Sequence, residues 1–369
     1  MFPNSLTERL GLSLPIIQAP MAGGPTTPEL VAAVGNAGGL GSLGASFMSG
    51  KAIADACDKI KARSNKAYAV NLFVPEDHRP DAAALRRASA ALDGYRAEVG
   101  LTPPPEKAPY LQPFEEQLQA VLAARPAVYS FCFGIPDDEV LDRLRDTGAY
   151  IIGTATTVAE AVLLEEAGVD AIVAQGFEAG GHRSTFTVPF DHAFTGLMAL
   201  LPQIVDAVEL PVIAAGGIMD GRGVAAALAM GAAAAQLGTA FLATEECGWG
   251  EVQRQALLAS RDDSTAITDA FTGKPARGLR NRFMVEAFDK HLPKAPYPAQ
   301  HGLSADLRRA AAEQGRADLM AIWAGQGVGA IRRAATADLM QRLRDELAQA
   351  LTATSAAVAS LNGRTSGRR

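Results

Sequence analysis

The sequence predicts a (β/α)8 (TIM) barrel with an insertion after the third strand and a helical C-terminal extension. Three observations carry this expectation. Short apolar runs alternate with helical patterns, the runs number eight up to residue 237, and glycine-rich segments follow several of them. Strands alternating with helices imply parallel pairing with right-handed crossovers, and eight such strands permit closure. An open doubly wound sheet is the competing arrangement, which the count disfavours.

Ile16 to Ala19 reads as the first strand and ends in Pro20-Met21-Ala22-Gly23-Gly24. Thr27-Pro28-Glu29 then reads as an N-cap with proline at the first helical position, and Gly38-Gly39 stops that helix after about Asn36. Leu40 to Leu43, Ser49 to Lys61 and Tyr68 to Asn71 supply the second strand, a helix and the third strand. The rhythm then breaks. Pro75 to Pro113 is rich in prolines and charges and reads as an insertion, about 75–125 overall, with one helix from about Ala82 to Val99 and a place over one face of the barrel.

Alternation resumes with strand Ala127 to Phe131, helix Asp137 to Thr147, strand Tyr150 to Gly153, helix Val158 to Ala167 and strand Ala171 to Ala174. Strands Val212 to Ala215 and Ala233 to Leu237 flank a helix from about Gly221 to Met230. Beyond Glu245, Arg261 to Arg282 is polar and glycine-containing, Pro293 to Pro298 is proline-rich, and helices are expected at Leu303 to Gln314 and Ala335 to about Leu361. In the last, Leu339, Leu343, Leu347 and Leu351 form an apolar stripe that suits packing on the barrel wall or a dimer partner. Asn362 to Arg369 reads as a frayed tail. The expected division is a barrel over 1–260 and an extension over 261–369, in a monomer or homodimer.

Composition limits the functions open to such a chain. Its 369 residues are 48% hydrophobic and 20% charged, with a net charge of −6, so no basic footprint points to nucleic acid or an anionic membrane surface. Cys57, Cys132 and Cys247 lie far apart and form no CxxC, which indicates neither a disulfide framework nor a zinc site, and no metal is expected. The start, Met1-Phe2-Pro3-Asn4, lacks a basic segment followed by an apolar one, and no stretch is long enough to span a bilayer. A cytoplasmic location is the expectation.

The chemistry centres on Asp170 to Phe186, where an apolar run breaks into Gln175-Gly176-Phe177-Glu178-Ala179-Gly180-Gly181-His182-Arg183. An amide, the paired Gly180 and Gly181, and a titratable ring thus leave one strand end, the usual place for a barrel's site. Of the histidines 78, 182, 192, 291 and 301, only His182 sits just beyond a strand end in a glycine-rich loop. An imidazole of near-neutral pKa there suits taking a proton from a carbon acid. No His cluster or carboxylate pair accompanies it, and Glu178 reads as a solvated or salt-bridged loop residue.

The loops after the seventh and eighth strands form the common phosphate cradle of such barrels. Here they read Ala215-Gly216-Gly217-Ile218 and Gln236-Leu237-Gly238-Thr239. Glycines let backbone N–H groups approach an anion, and a following helix start adds a favourable dipole. The phosphate belongs to a cofactor or to a phosphorylated substrate. Pro20, Met21, Ala22 and Gly23 end the first strand, where backbone could lie along a flat ring, although Met21 alone reads equally as core. Asn71 and Gln175 end the third and sixth strands; their amides suit the polar pyrimidine edge of a flavin, or else cap loops.

These residues carry a resemblance. Gln-Ala-Pro-Met-Ala-Gly-Gly (18–24), Gly-Gly-Leu-Gly-Ser-Leu-Gly-Ala (38–45), Asn-Leu-Phe-Val (71–74), Ser-Phe-Cys-Phe-Gly-Ile-Pro (130–136), Gln-Gly-Phe-Glu-Ala-Gly-Gly-His-Arg (175–183), Ala-Ala-Gly-Gly-Ile (214–218), Gln-Leu-Gly-Thr-Ala-Phe (236–241) and Phe-Thr-Gly-Lys-Pro-Ala-Arg-Gly (271–278) resemble the nitronate monooxygenase family, formerly 2-nitropropane dioxygenase. Related flavin barrels, a quinone reductase and an enoyl-acyl-carrier-protein reductase, share part of the pattern. The Phe-Gly-Ile-Pro and Trp323-Ala324-Gly325-Gln326 stretches resemble the monooxygenase branch more closely. Ser184 stands where many members carry glycine, and Phe177 where the residue is often small.

The resemblance implies FMN held by Asn71, Gln175, Gly180, Gly217 and Gln236 to Thr239, with His182 in the active site. It implies O2-dependent oxidation of alkyl nitronates, such as propionate 3-nitronate, to a carbonyl product with nitrite and nitrate; His182 would orient the anion and act as base toward neutral nitroalkanes. The alternatives are an NAD(P)H-dependent quinone or enoyl reductase on the same scaffold, and a non-redox protein that binds a phosphorylated metabolite.

Overall fold

The structure, a computed structural model, describes residues 4–76, 81–102 and 110–366, with 358–366 as backbone alone. His78 and parts of the insertion lie outside the described residues. The strands are β1 (Ile16–Gln18), β2 (Gly41–Gly44), β3 (Tyr68–Phe73), β4 (Val128–Cys132), β5 (Tyr150–Ala155), β6 (Ala171–Gln175), β7 (Gly181–His182), β8 (Val212–Ala215), β9 (Ala234–Leu237), β10 (Thr265–Thr268) and β11 (Ala276–Leu279). Eight of them form one sheet in the order β1-β9-β8-β6-β5-β4-β3-β2, every pair parallel. The ring closes between its ends: Gln18 N donates to Leu40 O at 2.9 Å and Leu40 N to Ile16 O at 3.0 Å. The barrel expected from the alternation is the fold observed.

Side chains on these strands alternate between two cores. One set, such as Ile17, Ala69, Val128, Ile213 and Ala234, faces the barrel interior, where Leu6 and Leu10 of the N-terminal helix Ser5–Leu10 plug the lower end. Their neighbours Ile16, Val70, Tyr129, Ile172 and Val212 face the surrounding helices. The interior is therefore solid below and open only at the C-terminal strand ends.

Two barrel helices were not expected from the sequence. Phe114–Ala124 packs beside Gly50–Arg63 and is the crossover between β3 and β4, although its sequence falls within the expected insertion, about 75–125. Leu197–Ala207 joins β6 to β8 and contains Pro202, which reads locally as a breaker. The final helix, Thr336–Ser366, continues at residues 362–366 into the stretch that reads as a frayed tail. It packs between Gly221–Ala229 and Pro28–Asn36, in the eighth helix's place. Leu339, Leu343 and Leu347 of its stripe are buried there, so the stripe serves the barrel wall. A Cβ on Gly221 would lie 2.2 Å from Leu347 N, so only glycine permits this approach.

The insertion and the segment between β9 and the last helix share a third core, built from Leu85, Leu92 and Tyr95 against Phe271, Phe283 and Leu307. The expected single helix is two, Ala82–Ala90 and Asp93–Glu98. Fully buried Arg96 binds Asp93, Asp306 and the Leu303 carbonyl. Among the described residues no helix is long and apolar enough to cross a membrane.

Candidate active site

Strand register aims the site. In β3, Val70 and Leu72 enter the outer core, so Asn71 and Phe73 face inward; in β6 the same alternation turns Val173 and Gln175 inward, and in β9 it selects Gln236. These residues line a cavity at the C-terminal strand ends with roughly 1200 Å3 of protein-free space, mouth included. Of the candidates, Pro20, Met21, Ala22, Asn71, Gln175, Gly180, Gly181, His182, Gly216, Gly217, Gln236, Gly238 and Thr239 line it. Two do not. Leu237 alternates outward into the helix-facing core, and Gly23 is exposed in the following turn at φ +89°.

His182 is held by a sheet that the sequence did not disclose. The stretch Arg261 to Arg282, which reads only as polar and glycine-containing, holds the antiparallel pair β10–β11, and β11 takes β7 as its other neighbour, with Ala276 opposite His182. Around the imidazole stand Phe133 and Trp323, each with ring centroid at 5.7 Å, Tyr297 at 6.1 Å and Phe73 at 6.3 Å. His182 Nε2 lies 2.9 Å from Thr272 Oγ1. Burial, and then the charges of Lys274 and Arg308, push the imidazole down to about 3. The ring is thus neutral at physiological pH, and the near-neutral pKa expected from its residue type is corrected. Lys274 pairs with Glu76 and sits 4.5 Å from the Phe133 ring centroid. Burial pushes the neighbouring Cys132 thiol up to about 12, which removes it as a nucleophile.

Gln175 lines the cavity, yet part of its amide is committed: Nε2 donates to His182 O at 3.2 Å, and Oε1 accepts from Ser184 N at 3.0 Å. Asn71 Nδ2 donates to Ser130 Oγ at 3.0 Å, and its Oδ1 has no partner among the described residues. Glu178 accepts the Leu197 N–H on both carboxylate oxygens at 2.9 Å. It therefore caps helix Leu197–Ala207, whose N-cap Gly196 has no side chain for the task. Phe177 lies under the Arg277 guanidinium, 4.8 Å from ring centroid to Cζ, outside the cavity lining, and does not narrow it.

The two glycine loops meet at one side of the cavity. Backbone N–H groups of Gly217, Ile218, Gly238 and Thr239 donate to no acceptor among the described residues. Gly216 and Gly217 hold φ of +121° and +70°, in the left-handed region that glycine adopts without strain. Open amides at two adjacent loops fit an anionic phosphate and have no protein group to satisfy them. Asn71 Oδ1 offers a matching acceptor for a ring N–H.

Sequence reasoning missed Thr272, Lys274, Tyr297, Phe133 and most of the segment 323–327. Gly180 packs so closely on that segment that a Cβ would lie 2.6 Å from Gly325 N. Gly325 N in turn donates to Thr239 Oγ1 at 2.9 Å. The Trp323-Ala324-Gly325-Gln326 motif was visible in the sequence; its place against the eighth-strand loop was not.

Known proteins resemble this chain over most of its length. The sequence profile described as Nitronate monooxygenase matches residues 5–346. A probable nitronate monooxygenase of Staphylococcus aureus (strain Newman) is 43% identical over 324 residues, covering 88% of this chain and 91% of that protein. The solved nitroalkane oxidase from Streptomyces ansochromogenes superposes with a TM-score of 0.89 at 42% identity, over 95% of this chain and 100% of that one. FabK from Thermotoga maritima is similar at 26% identity with a TM-score of 0.75, over 98% of this chain and 99% of its own.

Proposed function

Because the chain belongs to the nitronate monooxygenase family, we propose that this oxidoreductase binds FMN in the cavity and oxidises alkyl nitronates, such as propionate 3-nitronate, with O2 to a carbonyl product, nitrite and nitrate. The observation that carries this reading is the convergence on one cavity of open amides at Gly217 and Gly238, the Asn71 acceptor, and the neutral ring of His182.

The phosphate would rest on the amides of Gly217, Ile218, Gly238 and Thr239, with the polar ring edge toward Asn71 and Gln175. When bound, FMN supplies the electron transfer between nitronate and O2. The chain's own part is to hold the small anion and to exclude water. Lys274 and Arg308, whose charges are felt at His182, set a positive field that favours an anion. Phe73, Phe133, Tyr297 and Trp323 wall the space around the imidazole, which strengthens that field by keeping the local dielectric low. The family membership and the acidic chain are compatible with a cytoplasmic enzyme working on small molecules.

The test is to release and identify the bound chromophore, then mix the protein anaerobically with nitronate or with NADH. FMN reduced by nitronate supports the proposal. Rapid bleaching by NADH without nitronate turnover selects the reductase alternative, and a protein that cannot be loaded with flavin selects the non-redox one.

A further inference from the structure

What His182 can do depends on which of its ring nitrogens carries the proton. The only hydrogen bond to the ring among the described residues is the 2.9 Å contact of Nε2 with Thr272 Oγ1. A threonine hydroxyl has one hydrogen to give. Thr272 Oγ1 also lies 3.0 Å from the carbonyl oxygen of Lys274, and a carbonyl can only accept, so the hydroxyl hydrogen goes there. The lone pairs of Oγ1 are left for the Lys274 N–H at 3.4 Å and for His182. Nε2 therefore holds the ring proton and donates it to Thr272. The other nitrogen, Nδ1, is bare and without a protein partner among the described residues, on a ring that lines the cavity.

Thr272 is built to stay in place. It is 2% exposed, and the Thr272 and Gly273 N–H groups both donate to Asp269 O, at 3.3 and 2.7 Å. Ser304 Oγ fixes the preceding carbonyl of Phe271 at 2.5 Å. Gly273 has φ +80°, and a Cβ there would meet Ala295 O at 2.4 Å, so the turn is packed with no room to shift.

We propose that Thr272 is a positioning residue that fixes His182 in the Nε2–H tautomer, so that the imidazole meets substrate as a proton acceptor and extends the enzyme's range to carbon acids, nitroalkanes that still carry their α-hydrogen. This rests on the nitronate reading of the same cavity. In the step assigned to His182, the α-C–H bond breaks, its electron pair passes into the nitro group to give the nitronate, and the proton goes to Nδ1; the positive charge that burial and Lys274 and Arg308 disfavour on the unliganded ring is offset in this step by the nitronate formed against it. The Nε2–H bond to Thr272 is kept throughout. Nitronates have already lost that proton and enter beyond this step. The anion, whether formed or supplied, is favoured by the charges of Lys274 and Arg308 rather than by a donor on His182. Glu76, paired with Lys274, moderates that field.

The test is the tautomer itself. The protein is labelled with 15N at histidine, and the ring nitrogens are correlated with the carbon-bound ring protons; the His182 signals are those missing in His182→Gln. The wild type is expected in the Nε2–H form, Thr272→Ser is expected to keep it, and Thr272→Val is expected to lose it. The ratio of kcat for nitroethane to kcat for its nitronate should fall at least about tenfold in Thr272→Val, part of the roughly 100- to 10,000-fold that a general base contributes, and return in Thr272→Ser. A wild-type Nδ1–H form, or a Thr272→Val protein with tautomer and ratio unchanged, overturns the assignment. Should Thr272→Val not fold, the wild-type spectrum decides alone. A folded enzyme inert to every nitro compound would defeat the functional reading while the spectrum still judged Thr272.

Discussion

Gln175 and His182 are fastened to each other across the loop that joins β6 to β7: Gln175 Nε2 donates to the His182 carbonyl at 3.2 Å, and its Oε1 takes the Ser184 N–H at 3.0 Å. Arg183, the residue after His182, donates to the carbonyls of Gln175, Thr156 and Ala193. The amide that the sequence offered to a cofactor thus also sets the height of the imidazole.

Replacing Gln175 with leucine should therefore cost both stability and activity. Two backbone groups lose their partner, each worth about 1–3 kcal/mol if it stays unsatisfied, and the imidazole loosens. Urea denaturation and nitronate oxidation measure the two effects. A variant with full activity would show that β11 alone holds His182.

Gly238 separates occupancy of the cradle from strain. Its φ is −104°, and a Cβ would meet only Ala19 Cβ at 3.5 Å and Met21 Sδ at 3.7 Å. Gly238→Val should leave the thermal stability of flavin-free protein nearly unchanged and weaken FMN binding at least about tenfold, equal to about 1.4 kcal/mol. Equilibrium titration with FMN checks this, and unaltered affinity would remove the phosphate from this loop.

Acid should destabilise the fold before it reaches the carboxylates. Burial and neighbouring charge push His182 down to about 3, through Lys274 and Arg308, and His301 down to about 2, through Arg308 and His182. In the unfolded chain both take up protons near pH 6.5. The unfolded state then binds more protons than the folded one, so stability present above pH 6.5 is lost as pH falls toward the folded values. At pH 5 the loss is about 2 kcal/mol for each histidine. Urea midpoints at pH 7 and 5 test the sign, and a flat profile would mean that both rings are hydrated.

Glu160, fully buried, organises the loop beyond the site. Its carboxylate accepts from Thr156 N at 2.6 Å, Phe186 N at 2.7 Å and Thr187 N at 3.1 Å, besides the hydroxyls of Thr156, Thr185 and Thr187. Glu160→Ala strands at least three backbone donors, so a loss of about 3 kcal/mol or more is expected in thermal or urea unfolding. A loss below about 1 kcal/mol would show that the loop re-pairs with water.

The barrel and the ends of its strands were legible because each depends on local pattern. Apolar runs mark strands, and glycines just after them mark the loops that approach a ligand. Period-two alternation would also have set Leu237 apart from Gln236 had the run not been read whole. The remainder depends on pairing at long range. Strand β7 has two residues, too few for any signature, and its partner β11 follows about a hundred residues later in the chain. Thr272 touches His182 only because of that pairing. The last helix could not be recognised as the eighth of the barrel, because a long excursion through β10 and β11 separates it from β9.

Oxygen uptake with released nitrite, followed on FMN-loaded protein supplied with propionate 3-nitronate, tests the central claim most directly. The account expects O2 consumption and nitrite formation that depend on bound FMN and need no NAD(P)H. A fully FMN-loaded protein that consumes no O2 and releases no nitrite with this or any small alkyl nitronate would contradict it.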